Sequence, residues 1–353
     1  MLSLEKNHAS NALDLLRAAS AQVVCVGHAW SFFISGPKIA FQSIAVCVFF
    51  ILSGFVITHT LLRRHREGFG AYLIARVARI YSVLLPSLIV VALVDVSLVL
   101  YGLHENPGYV TPVIWLKTLL SFNNYTGFGS EFLQAPSFGS GGPLWTLALE
   151  IHIYMFIGAV FFMVSRPRQY FWLLPVAVFF SQMPMAFLTG TPIGIGSGLF
   201  AIWLGGAAIC AVLPQVIGPR IRRVFALMGL LAFIAYCNLI EPGREYDVAL
   251  YPFLLASFAG IVVFAAGFET RSEGRFIRTI RFSANYSFTL YLVHYTILYA
   301  FSRIGLTGWS GFFGGVITAN LIAIAMAIPT EMRHRAFARW LSALFKRKSL
   351  WPG

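Results

Sequence analysis

The sequence predicts an all-α, polytopic transmembrane bundle of about ten spans with both termini in the cytoplasm, and three observations predict it. The composition is 58% hydrophobic and 11% charged over 353 residues, a balance that the surface of a soluble domain would not tolerate. Apolar runs of about 20 residues recur between clusters of Arg, Pro and Gly, which is the length a helix needs to cross the hydrocarbon layer; no stretch alternates as an outer-membrane barrel strand does. The third observation is the placement of positive charge. With spans at 13–34, 41–62, 80–103, 143–165, 169–189, 195–214, 224–240, 248–268, 283–302 and 308–330, every one of the 26 Lys and Arg except Lys38, Lys117, Arg244 and Arg303 falls on the inner side, as the positive-inside rule requires. Topology therefore accounts for the net charge of +13, and no nucleic-acid partner is needed.

The N-terminal ten residues are polar and expected to fray. The first span then carries Asp14, Arg17 and His28. At about 100° per residue, the eleven steps from Arg17 to His28 return to within about 20° of one face over a rise of about 16 Å, with Asp14 about 40° away. Ionisable groups are costly in hydrocarbon, so this stripe faces a bundle interior or a wet cavity and marks a functional site. The span is too long for a cleaved signal peptide and lacks a small-residue cleavage site, so it is expected to be retained. In the second span Ser53-Gly54 permits close helix contact, with a direct ligand role for Ser53 as the other reading. Past a basic loop, Arg76 and Arg79 stand three apart and share a helix face on which they can grip one anion, unless they serve only as topology charges. The longest external segment, 104–142, has an apolar helical piece at Trp115-Leu116 and a Gly/Pro-rich tail. Segments of that length are functional lids or disordered.

The fourth span opens Pro143-Leu144-Trp145-Thr146 and carries Glu150 about 11 Å below its external end; His28 lies about 9 Å below its own, so the two can share one depth. Spans five to eight are apolar with Gly, Ala and Pro, and read as packing. The loop from Arg271 to Arg281 is basic. Span nine puts Ser287, Tyr291 and His294 on one face by their spacing of four and three, although His294 alone reads equally well as a satisfied core histidine. The tail, 331–353, is basic and suits an anionic inner leaflet. Cys25, Cys47, Cys210 and Cys237 stand singly without metal-ligand or disulfide spacing, so no metal site is expected. The chain reads as a single domain, 1–353, without a transporter-type repeat.

Five of these stretches, in order, resemble the membrane-bound acyltransferase family 3, a family of bacterial sugar O-acyltransferases. Leu13, Asp14, Leu16, Arg17 and His28 are similar to its Leu-Asp-x-Leu-Arg-x(10)-His element, and Phe49 to Phe55 to its Phe-Phe-x-Leu-Ser-Gly-Phe element. Arg76, Arg79, Ile80 and Tyr81 resemble Arg-x-x-Arg-Ile-Tyr. Leu144 to Leu147 with Glu150 and Tyr154 resemble Leu-Trp-Ser-Leu-x-x-Glu-x-x-x-Tyr, and Ser287, Phe288, Tyr291, Leu292 and His294 resemble Ser-Tyr-Ser-x-Tyr-Leu-x-His. Cys47, Ser82 and Ile151-His152-Ile153 depart from the usual residues, which bears on the acceptor and not on the reaction class. The chain ends soon after span ten, so a standalone membrane domain without the fused esterase-like domain of some members is expected.

The resemblance implies transfer of an acyl group, most simply acetyl, from cytoplasmic acyl-CoA to a carbohydrate hydroxyl on the periplasmic side of a bacterial inner membrane. No permanently bound cofactor is expected; the implied partners are acyl-CoA, a glycan acceptor and the bilayer, with a homo-oligomer or glycan-assembly proteins left open. The reaction needs a base for the hydroxyl proton. His28 takes that role, since neutral imidazole accepts a proton at physiological pH, and Glu150 orients it or binds the acceptor hydroxyl. A covalent acyl-His28 or acyl-Cys25 intermediate is the other route. Arg76, Arg79, Arg17 and Tyr291 are assigned to the donor, Arg because its planar fork suits phosphate. Asp14, Ser53, Trp145 and His294 are substrate-binding or structural. The competing reading is a proton-coupled transporter of an acidic metabolite with His28 and Glu150 as a relay; a scaffold for glycan assembly is the third.

Overall fold

A computed structural model describes residues 9–34, 40–189, 195–213, 218–267 and 274–347. The expectations for the first eight residues, for Lys38, for Arg271 and for residues 348–353 of the tail lie outside them. Among the described residues the chain is helical, with no strand beyond an isolated bridge between Asn123 and Ala135. In chain order the helices are α1 Ala9–Phe33, α2 Phe41–Arg64, α3 Gly68–Leu100, α4 Pro112–Leu119, α5 Ser130–Leu133, α6 Leu144–Ser165, α7 Pro167–Tyr170 and α8 Leu174–Thr189. They continue as α9 Leu199–Val212, α10 Pro219–Leu239, α11 Tyr251–Ala265, α12 Arg275–Ala284, α13 Ser287–Arg303, α14 Gly308–Ala327 and α15 His334–Arg347.

Six runs among the described residues are long and apolar enough to cross a membrane: Phe41–Leu100, Leu144–Ser165, Pro167–Leu188, Pro219–Leu239, Val248–Ala265 and Gly308–Phe345. The first joins two expected spans, α2 and α3, through the short turn His65–Glu67. The stretch with Tyr72, Arg76 and Arg79, which the expected boundaries leave ahead of the third span, is not separate from that span. It is the lower part of one 33-residue helix, α3, which runs on through Pro86; membrane helices tolerate an internal proline because neighbours re-satisfy the freed carbonyl. A second correction concerns the basic loop before span nine. From Arg275 it is helical, as α12, because Phe276, Ile277 and Ile280 recur at helical spacing between the arginines. The basic tail likewise forms the amphipathic helix α15, which packs along α3.

The chain divides into two compact units: Met1–Gly27, Gly36–Arg63 and Met185–Ser287 form one; His28–Ser35, Arg64–Pro184 and Phe288–Gly353 form the other. In the first, Leu15, Val23 and Val26 of α1 are exposed while Ala18, Ala21, Val24 and Cys25 are buried, the periodicity of a helix with one lipid-facing stripe. There α2 and α9 cross backbone to backbone. A Cβ on Gly54 would stand 2.0 Å from the Trp203 carbonyl oxygen, and one on Gly206 would stand 2.2 Å from that of Ile51. Only glycine permits so close an approach.

In the second unit α3 packs on α6 through Tyr72, whose hydroxyl donates to the Tyr154 carbonyl at 2.9 Å. The tail of the 104–142 segment is tied down by Asp95 of α3, which is fully buried. Its Oδ2 accepts the Ser140 N–H at 2.7 Å, and His104 Nε2 lies 3.5 Å from Oδ1. Ser140 Oγ in turn donates to Thr296 of α13 at 2.9 Å. Tyr299 and Arg303 of α13 hold Leu103 and Glu105 at the start of the same segment. The expected helical piece around Trp115 is present as α4.

Candidate active site

His28 lies in the last turns of α1, half-buried, in the second unit. Its Nδ1 is 3.0 Å from Nε2 of His294 on α13, with the rings stacked at 5.2 Å between centroids. His294 is fully buried, and its Nδ1 is 3.0 Å from the carbonyl oxygen of Leu290, one turn earlier on α13. A carbonyl only accepts, so His294 Nδ1 carries a proton and, in the neutral ring, Nε2 is an acceptor. His28 Nδ1 is then the donor in the pair. The neutral His28 ring consequently keeps its basic lone pair on Nε2. Tyr295 sets its ring edge-on to His28 at 5.1 Å and to Phe32 at 5.1 Å, which fixes the imidazole from a second side.

Tyr291, one turn before His294 and 8% exposed, places its hydroxyl 2.6 Å from Thr146 Oγ1. Thr146 donates its own proton to the Pro143 carbonyl at 2.8 Å, so Tyr291 is the donor to Thr146. This joins α13 to the first turn of α6. Glu150 stands one turn further along α6, close enough to Tyr291 to act on it electrostatically, and accepts the hydroxyl proton of Tyr154 on Oε1. His28 Nδ1 thus meets His294, and Glu150 meets Tyr154. Trp145 is half-buried beside Thr146 at the start of α6.

The two α3 arginines differ in their surroundings. Arg79 Nη2 is 3.2 Å from Oε1 of Glu331, which is 1% exposed. Arg76 lies over the ring of Tyr72 at 6.0 Å, and its Nε is buried with no acceptor among the described residues. A buried N–H without an acceptor costs about 1–3 kcal/mol, so a ligand anion at this point would satisfy a donor that the protein leaves open. The other expected site residues belong to the first unit. There Arg17 pairs with Asp14 at 3.4 Å, and Ser53 Oγ accepts the indole N–H of Trp203 at 3.0 Å, beside the Gly54 crossing. Ser53-Gly54 thus packs against α9.

The model of the acyltransferase domain family matches residues 10–328. The chain belongs to the acyltransferase 3 family. As a member of that family with several apolar helices, it is a multi-pass membrane acyltransferase. An O-acetyl transferase of Shigella phage Sf6 is 25% identical over 313 residues, covering 82% of this chain and 85% of that protein. Nodulation protein 10 of Rhizobium leguminosarum bv. viciae is 27% identical over 162 residues, 41% of this chain and 42% of that protein. No solved structure matches the chain. The acyltransferase 3 match contains every residue of the His28, His294, Tyr291, Thr146 and Glu150 cluster and ends before Glu331.

Sequence reasoning placed Thr146 and Tyr154 in a family element but assigned them no role, and it did not pick out Tyr295, Asp95 or Glu331. Two of these had a readable signal. Asp95 is an acid inside an apolar run, the same anomaly that singled out Glu150, and Glu331 is the one acid in the basic tail 331–353.

Proposed function

We propose that this protein transfers an acyl group, most simply acetyl, from acyl-CoA on the cytoplasmic side of a bacterial inner membrane to a hydroxyl of a carbohydrate on the periplasmic side. Ten spans with both termini inside complete the reading. Acyltransferase 3 membership and the O-acetyl transferase relative support the reaction and its oxygen acceptor. The observation that carries the mechanism is the hydrogen bond of His28 to His294 with Leu290 behind it, because it directs the Nδ1 proton to His294 and so puts the basic lone pair of this half-buried ring on Nε2, in the unit that also holds Tyr291 and Glu150.

In this mechanism His28 Nε2 removes the acceptor hydroxyl proton as the hydroxyl oxygen attacks the thioester carbonyl carbon. The tetrahedral adduct collapses, the C–S bond breaks, and the leaving CoA thiolate takes the proton back from His28. A base so placed contributes on the order of 10²–10⁴-fold. His294 acts as a positioning residue that selects the His28 tautomer. Glu150, with Tyr154, is assigned to the acceptor hydroxyl. Arg76 and Arg79 are assigned to donor phosphates, with bidentate donors that suit them. Tyr291 acts on the donor side by packing, since its proton is directed to Thr146.

The deciding experiment gives inside-out vesicles acetyl-CoA labelled in the acetyl group and follows label into glycan. Transfer by wild type and its loss in stably expressed His28→Ala is the expected result. Uptake of an acidic metabolite driven by a proton gradient, without label transfer, would replace the enzyme with the carrier.

A further inference from the structure

Glu331 is buried at the start of the short turn Glu331–Arg333, past the last long apolar helix. Burial of a carboxylate is costly unless its oxygens are answered by donors, and here four contacts answer them. Oε1 receives Arg79 Nη2 at 3.2 Å and the Phe288 N–H at 3.4 Å; Oε2 receives the Thr289 N–H and the Thr289 hydroxyl, each at 2.8 Å. Three of the four come from the first turn of α13, where backbone N–H groups have no intrahelical acceptor and an anion is favoured. The fourth is the arginine that the proposed donor site uses. One carboxylate thereby holds both the start of the helix that carries Tyr291 and His294 and one corner of the Arg79 guanidinium.

We infer that Glu331 is a positioning residue for the acyl-CoA donor: it holds Arg79 in the orientation that meets a donor phosphate. The inference rests on the donor reading given above. The contact uses Nη2 alone, and Arg79 is 26% exposed. A guanidinium has five N–H donors, so the edge away from Glu331 is left to face an anion beside Arg76. Without the carboxylate, Arg79 gains rotamer freedom that phosphate binding must remove again.

Glu331→Gln separates this role from simple capping. The amide oxygen can still accept both Thr289 donors of the cap, while the amide NH₂, a donor, takes the place of Oε1 and loses Arg79 together with the long 3.4 Å contact of the Phe288 N–H. The test measures initial transfer rates for the full-length protein in nanodiscs with two donors, acetyl-CoA and S-acetylpantetheine, which lacks the nucleotide phosphates. The expected result is a KM for acetyl-CoA raised about tenfold, the scale of one charge-assisted hydrogen bond, with kcat within about twofold and no change with S-acetylpantetheine. In an Arg79→Gln background the same change adds nothing further. Glu331→Asp, which keeps the charge but withdraws it by one methylene, gives the same donor-selective rise at smaller size and serves where Glu331→Gln folds poorly. Equal losses with both donors, or an unchanged KM, overturn the inference. A wild type that binds and uses neither donor overturns the donor reading itself.

Discussion

At the scale of the residue, the direction of one hydrogen bond decides the chemistry. Leu290 offers only a carbonyl to His294 Nδ1, and the protonation pattern of both imidazoles follows from it. Substitution at His294 is therefore informative by type. His294→Gln keeps an acceptor for the His28 Nδ1 proton and is expected to retain most of the transfer rate. His294→Leu leaves that proton without an acceptor and the ring free to turn, with an expected loss on the order of 10²-fold, the cost of a misplaced catalytic group. The measurement is kcat with acetyl-CoA, and its KM is expected to stay unchanged in both variants. Equal rates for Gln and Leu would remove the tautomer role. How far this site was legible in the sequence follows from the same residues. His28, Glu150, Tyr291 and His294 were each visible as polar groups on apolar helix faces. Their pairing was not, because helical periodicity reports which residues share a face on one helix and says nothing of which face meets another helix. Depth suggests Glu150 for His28, but nothing in the sequence indicates that the ring of His294, 266 positions away, stacks on His28.

At the scale of the element, α3 shows how one helix can serve both ends of a site. Its lower turns carry Arg76 and Arg79, and its upper turns carry Asp95, which holds the Gly139-Ser140 backbone of the external segment. A Cβ on Gly139, whose φ is +51°, would lie 1.8 Å from Asp95 Oδ2, so this joint fits glycine in both conformation and space. Asp95→Leu deletes the acceptor of a buried N–H at a cost of roughly 1–3 kcal/mol. Hydrogen exchange of the peptide containing Ser140 is expected to speed up by tenfold or more, while exchange in α6 stays slow. No change at Ser140 would show that the joint holds without the carboxylate. The α2–α9 crossing makes the opposite demand, for the absence of a side chain. Gly54→Leu would drive a side chain into the Trp203 backbone, and because the obstacle is backbone, relief requires the helices to part. The expected cost exceeds the 1–3 kcal/mol typical of core overpacking, read as loss of monodisperse protein in detergent. Ser53→Ala, which removes only the acceptor of the Trp203 indole, is expected to cost about 1 kcal/mol.

At the scale of the whole molecule, the all-helical class was legible because composition and run length are properties of the bilayer as solvent, independent of tertiary detail. The finer count was not fixed in the same way. Of the ten expected spans, α1 is diluted by Asp14, Arg17 and His28, α9 has 14 residues and α13 has 17, so the helices that carry function or end at close crossings are the ones that fall short of a simple hydropathy criterion. Functional polarity and short length erase the very signal by which spans are counted. Charge asymmetry does not depend on that signal, and it is what predicts that the 104–142 segment is external and both termini are internal. The prediction is directly testable because Cys25, Cys47 and Cys210 are buried and Cys237 is exposed. In a Cys237→Ser background, Phe128→Cys adds an accessible thiol on the segment, since Phe128 is 67% exposed. A membrane-impermeant maleimide applied to intact spheroplasts is expected to label it fully, and Arg339→Cys on α15 is expected to react only after the membrane is opened. Labelling of residue 339 from outside would place α15 on the acceptor side, and the donor arginines, which lie in the same unit as α15, would then need a route to cytoplasmic acyl-CoA other than the one proposed.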